Sequence, residues 1–255
     1  MNDNQDSSAD RDELDKHLAS TLDINRFQDY CPNGLQVQGR SRIRSVVSGV
    51  TASLALLEAA LEKQADMVLV HHGYFWRGED PRVIGHRQKR LSLLLQNEMN
   101  LFAYHLPLDA HPVMGNNAQL GLRLGLEASA RFGEQELGWI GKSSAKTVAE
   151  LAIVVERVLG REPMVIGDPG QAIDLVAWCT GAAQNALEDA ITAGASVYLS
   201  GEISEQTVHL SRESGVPYIA CGHHASERYG VQVLGDYLSH KFGIRHEFID
   251  IPNPV

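Results

Sequence analysis

Aromatic residues are scarce, at 6% of the 255 positions, and cysteine is limited to Cys31, Cys179 and Cys221. An odd number of cysteines without CxxC spacing excludes a disulfide framework and fits a reducing compartment. Basic charge is also in short supply: 22 Lys and Arg against 32 Asp and Glu leave a formal net charge of −10. A binder of the phosphate backbone needs a basic face, so nucleic acid is demoted as a partner, although a local basic patch is compatible with the total. No apolar run reaches membrane-spanning length. The opening stretch MNDNQDSSADRDELDKH has neither the basic nor the apolar region of a signal peptide. These absences lead us to expect a soluble, cytoplasmic chain with no membrane partner. Nucleotide-binding glycine motifs are missing too: no GxGxxG and no P-loop follows a strand candidate, and there is no GxSxG elbow.

What is present is a globular composition with 44% apolar residues, enough for one large domain or two ordinary ones. The polar residues 1–10 read as a disordered tail. Leu14, Leu18 and Leu22 recur at fourfold spacing and predict a short amphipathic helix, ended by the turn signal Pro32-Asn33-Gly34. Ser45 to Val50 is a strand candidate, Thr51 to Lys63 a helix with apolar Leu54, Leu57 and Leu61, and Met67 to Val70 a strand of the kind buried on both faces. The order is βαβ with a parallel sheet.

The same order returns 130 residues later without a gap, when Val47 to His72 is set against Ala177 to Glu202. Ala52, Leu57, Glu58, Ala60, Ala65 and Leu69 then fall on Ala182, Leu187, Glu188, Ala190, Ala195 and Leu199. A further helix and strand follow each unit, Asn100 to Tyr104 in the first and Val216 to Cys221 in the second. The expected fold is therefore α/β, with duplicated βαβ-containing halves, mostly parallel sheets and a metal site between the halves. The expected halves are 11–127 and 128–255. In the second, Thr147-x-x-Glu150 is a capping box that opens a helix closed by Gly160.

Eleven histidines are unevenly placed. His71 and His72 follow MVLV, His105 and His111 flank Asp109, and His223 and His224 follow YIACG. In open α/β sheets ligands gather at the carboxyl ends of strands. His223 and Glu227, four apart, share one face if a helix opens there. Neighbouring side chains of a strand point oppositely, so His71 and His72 are expected to serve different ions where the strand opens into a loop. Three imidazoles and two carboxylates are too few to close two structural sites, which is the pattern of a catalytic pair of ions. Each feature also has a plainer reading: a satisfied histidine, a loop, a surface ion pair. Cys221 beside the site reads as a buried thiol, and Tyr74-Phe75-Trp76 as either loop packing or a wall for a base. Glu202 stands where His72 stands in the first half. It reads either as a carboxylate that orients a histidine ligand or moves a proton, or as a cap for the helix beginning at SEQTVH.

At HHGYFW, HLPLDAH and GHHASE the chain resembles the GTP cyclohydrolase I type 2 homologue family. DYCPNGLQVQG, SGVTAS, GNNAQLG, SGEISEQTVH and FIDIPNP extend the likeness from about residue 29 to the end, in the short bacterial form. The resemblance implies a dinuclear metal centre held by His71, His72, Asp109, His223 and Glu227, and a homohexamer built as a trimer of dimers. Its name implies opening of a purine imidazole ring. Two functions follow as expectations. One is a two-metal hydrolase acting at a carbon–nitrogen centre of a nucleotide-like or cyclic amide small molecule, one ion activating water and the other holding the oxyanion. The other is a non-catalytic metal-binding scaffold or metal-handling protein. The ionisable residues His105, His111, Glu202 and His224 around the ligands favour the first. A nitrogen and oxygen donor set suits zinc, iron, manganese or nickel alike.

Overall fold

Residues 7–255 are described by the computed structural model. In chain order its strands are β1 (Ala9–Asp10), β2 (Gly34–Val37), β3 (Arg42–Ile43), β4 (Ser45–Thr51), β5 (Met67–His72), β6 (Asn100–Ala103), β7 (Glu127–Phe132), β8 (Gly138–Lys142), β9 (Met164–Ile166), β10 (Leu175–Cys179), β11 (Val197–Ser200), β12 (Tyr218–Ala220) and β13 (Arg245–Phe248). The helices are α1 (Arg11–Thr21), α2 (Leu54–Glu62), α3 (Gly85–Gln96), α4 (Leu106–Ala110), α5 (Asn116–Leu124), α6 (Val148–Leu159), α7 (Leu187–Thr192), α8 (Glu205–Ser214) and α9 (His223–Phe242).

Two compact units result, and not from a single cut near residue 127. The first ends at Leu108 and takes back Gly230–Pro252; the second is Asp109–Tyr229 with Asn253–Val255. The cause of the return is β13, which pairs in parallel with β4, Arg245 opposite Ser45 and Phe248 opposite Ser48. The expected disordered tail also needs correction where it is described. Residues 1–6 of it lie outside the described residues, but Ala9 and Asp10 pair with Ile43 and Arg42. Asp10 caps α1 by accepting from the amides of Asp12 and Glu13.

In the first unit the sheet order is β13-β4-β5-β6-β2. All pairs are parallel except β2 with β6. Val46, Val47, Met67 through Val70, and Leu101 through Ala103 are buried, because these strands are covered on both faces and read as continuous apolar runs. Leu56, Leu57 and Ala60 of α2 and Leu91 and Leu94 of α3 pack with Val47, Val68 and Val70 on one face. In the second unit the order is β7-β8-β10-β11-β12-β9. Only β10-β11-β12 are parallel there; β7, β8 and β9 add antiparallel edges. Trp178, Val197, Leu199 and Ile219 form the core under α6. The capping box of α6 forms with one change: the amide of Glu150 donates to Thr147 Oγ1 at 3.3 Å, while its carboxylate accepts from Lys146 N rather than from the cap residue. Gly160 ends the helix at φ 72.

The duplication is written into the backbone. Val47 is opposite Val68 and Ala177 is opposite Tyr198, the same register after the shift of 130. Helix exits match as well: Ala65 N donates to Ala60 O and Ala195 N to Ala190 O, both at 3.0 Å. The strand entrances match through unlike side chains. The Asp66 carboxylate accepts from the amides of Arg44 and Ser45, and the Ser196 hydroxyl accepts from those of Asp174 and Leu175. Six sequence identities understate this likeness, because the repeated part is the hydrogen-bond plan.

Candidate functional site

Contrary to the expectation of a loop at the histidines, strand β5 continues through His72, which is opposite Thr51 of β4. His71 and His72 therefore leave the sheet on opposite sides of the backbone, yet their ring centroids are 4.5 Å apart. His71 is fully buried, and its Nδ1–H donates to the carbonyl of Tyr104 at 2.9 Å. A carbonyl only accepts, so this bond fixes the tautomer and puts the lone pair of the neutral ring on Nε2. His72 Nδ1 is hydrogen-bonded to Thr51 Oγ1 at 3.1 Å.

His105, just after β6, completes the group in the first unit. Its ring centroid is 5.1 Å from that of His71 and 5.8 Å from that of His72. Trp76 meets it edge-on at 4.9 Å, so one member of the aromatic run walls the histidines. His105 Nδ1 is 2.6 Å from Asp29 Oδ1. Burial opposes the charge on Asp29, but the bonds from His105, Asn33 and the Tyr30 amide outweigh it and hold the carboxyl below its usual range.

In the second unit the residues collect at the carboxyl ends of β10, β11 and β12, where an open α/β sheet binds its ligands. Asp109 is buried and accepts from Asn116 Nδ2 at 2.9 Å and from Thr180 Oγ1 at 3.3 Å. Asn117, also buried, accepts from Thr180 N and donates to the carbonyls of Asp109 and Leu137. His223 and Glu227 share a face in the first turn of α9, with Nε2 3.0 Å from Glu227 Oε2. On its other side, His223 Nδ1 donates to Glu202 Oε1 at 2.8 Å. Burial alone would lower the pKa of His223; Glu227 and then Glu202 outweigh it and raise it to about 9.

Glu202 does not cap α8. The cap is Ser204, whose hydroxyl accepts from Thr207 N. Glu202 instead lines a cavity of about 630 Å³ together with Arg161, Met164, Ile203 and Gly222. Glycine at 181 is required by space and by conformation: φ is +71, and a Cβ there would lie 2.1 Å from Glu227 Oε1.

Burial raises the thiols of both Cys179 and Cys221, the latter to about 12, and among the described residues neither falls in a group of side chains spaced to hold an ion. His111 is taken up by its turn, its Nδ1 accepting from the amides of Val113 and Met114. A Ser48–His246–Asp236 string in the first unit has the bonding order of a hydrolytic triad, at 2.7 and 2.8 Å. Ser48 is fully buried, so no substrate reaches its hydroxyl, and the string instead fastens β13 and α9 to β4. Sequence reasoning missed Asp29, Asn116 and Asn117. The likeness at DYCPNG and GNNAQLG marked their segments but gave them no role.

The Duf34/NIF3 (NGG1p interacting factor 3) family profile matches residues 9–254. A GTP cyclohydrolase 1 type 2 homolog of Pseudomonas aeruginosa is 56% identical over 238 residues, covering 92% of this chain and 94% of its own. The protein of the same name from Neisseria meningitidis serogroup B is 49% identical over 92% of this chain and 95% of its own. Among solved structures, protein ybgI, of unknown function, superposes with a TM-score of 0.94 at 43% identity, covering 97% of this chain and all 100% of that one. TTHA1606 from Thermus thermophilus does so at 0.85 and 33%, with the same coverage. By profile, by sequence and by fold, the chain belongs to the Duf34/NIF3 family.

Proposed function

We propose that this protein is a metal-dependent hydrolase that opens a carbon–nitrogen bond in a nucleotide-like or cyclic amide substrate. His71, His72, Asp109, His223 and Glu227 are the proposed ligands of two divalent ions, drawn from both halves of the duplicated chain as the family resemblance implies. The observation that carries the reading is the setting of His223. A buried carboxylate needs a positive partner, and Glu227, only 3% exposed, has the imidazole of His223 at 3.0 Å. Two donors on one tetrahedral zinc, each at about 2.0–2.1 Å, stand roughly 3.3 Å apart. The pair is therefore spaced as ligands are, and an ion can take the place of the Nε2 proton. His71 fits in the same way, its Nδ1 bound to a carbonyl and its lone pair on Nε2.

When bound, two divalent ions supply Lewis acidity and an activated water. The chain supplies orientation. Glu202 positions His223 through Nδ1 and faces the cavity, so it is the residue placed to hold or pass a proton next to a bound substrate. Asn116 and Thr180 both hold Asp109 by Oδ1 and so orient its carboxylate. The relatives' name, GTP cyclohydrolase 1 type 2 homolog, supports a purine-like substrate. No helix among the described residues is long and apolar enough to cross a membrane. A cytoplasmic setting is part of the proposal, supported by three free cysteines, and so is a homohexamer arranged as a trimer of dimers, supported by family membership. The test compares metal-replete with metal-stripped protein for turnover across purine nucleotides and cyclic amides. Turnover that appears only with metal supports the hydrolase, and full metal loading without turnover on any of them overturns it.

A further inference from the structure

We infer that His105 is a further imidazole ligand of the metal site in the first unit, locked in its binding pose by Asp29. The inference rests on the reading of that site as a metal centre, and it adds a residue outside the five-ligand set. Three histidines converge there from different elements: His71 and His72 from the end of β5, and His105 from the residues after β6. Each offers a nitrogen within 4.8 Å of the others. All three use Nδ1 toward a protein oxygen: the Tyr104 carbonyl, Thr51 Oγ1 and Asp29 Oδ1. With Nδ1 so engaged, Nε2 is the atom each ring offers to an ion, and a neutral imidazole is a donor for zinc, nickel or iron.

The carboxylate behind His105 is built for the task. Asp29 Oδ1 takes His105 Nδ1–H and the Tyr30 amide, while Oδ2 takes Asn33 Nδ2 and the Leu106 amide. Asn33 Oδ1 in turn accepts from the amide of His105 at 2.7 Å. The loop from Asp29 to Asn33 thus grips His105 by both its backbone and its ring. Carboxylate–histidine pairs of this form orient metal ligands and raise their basicity. An alternative ion held by Asp29, Cys31 and His105, whose donor atoms also lie within 4.8 Å, is less consistent with the bonding. Asp29 already accepts from four donors, two on each carboxylate oxygen.

The test is a zinc titration of protein labelled with ¹⁵N-histidine, read from the ring-nitrogen resonances. His105→Gln identifies the His105 signal by its loss. The expected result is that Nε2 of His105 shifts in step with those of His71 and His72, while its Nδ1 keeps the signature of a protonated nitrogen bound to a carboxylate. Asp29→Asn should weaken zinc binding at this site by about 10–100-fold. If Asp29→Asn fails to fold, the titration of the unaltered protein still decides. A His105 Nε2 that stays put while His71 and His72 move would overturn this inference and leave the metal reading standing. Stationary signals for all three would overturn both.

Discussion

Replacing Glu202 by Gln isolates one charge in the proposed centre. The side chain keeps its length and an oxygen that still accepts from His223 Nδ1–H, now at 2.8 Å from a carboxylate. What is lost is the charge assistance. A hydrogen bond to a charged group contributes about 1.5–3 kcal/mol and a neutral one about 0.5–1.5 kcal/mol, so the change costs about 1–1.5 kcal/mol. The Glu202 side chain is 33% exposed, and solvent trims the larger values. That corresponds to roughly tenfold weaker binding of the ion that His223 ligates, the low end of the effect of removing a carboxylate behind a metal-bound histidine. Competition with a chromophoric chelator, with zinc as the probe, measures it. Ser204→Ala is the control, since Ser204 is the true cap of α8: it should cost about 1 kcal/mol of stability and leave zinc affinity alone. If Glu202→Gln bound zinc within twofold of the parent, or lowered stability without touching affinity, the assignment of Glu202 to His223 would be wrong.

Gly181→Ala puts a methyl 2.1 Å from Glu227 Oε1 at a positive φ, so it should lose about 1–2 kcal/mol from the backbone and displace the carboxylate as well. Gly194→Ala, also at positive φ but with open space around it, should lose only the backbone part. Chemical denaturation and metal content of the two variants separate the effects. Asp66→Ala strips the acceptor from two amides at the entrance to β4 and should destabilise by about 1–3 kcal/mol in urea unfolding, without altering metal content. Light scattering at micromolar concentration should give a hexamer; a stable monomer would defeat the proposed assembly.

Much of the fold was legible because repeated physics leaves repeated patterns. Met67 to Val70 announced a strand covered on both faces, and the shift of 130 residues carried the pairing register intact. The return of β13 to the first sheet was not legible. Arg-His-Glu-Phe is short, partly exposed and polar, and nothing in it names β4 as its partner. The antiparallel edges of the second sheet escaped for a similar reason, since hydrophobic periodicity reports burial and not strand direction. For the site, the spacing of His223 and Glu227 on a helix was a local signal and could be read. The bond from Asp29 to His105 joins residues 76 apart in sequence, and only the fold brings them together. Position in the repeat pointed to Glu202 where composition could not, because it set that residue at the strand end occupied by His72.

The histidines and carboxylates at these strand ends are proposed to form a two-ion centre. Elemental analysis of the purified protein after equilibration with zinc and removal of the excess tests it most directly. About two ions per chain are expected, with Glu227→Ala losing more metal than Asp109→Ala, because Glu227 is the proposed bridge between the ions. Full occupancy in Glu227→Ala, or an unaltered protein that retains no metal, would contradict it.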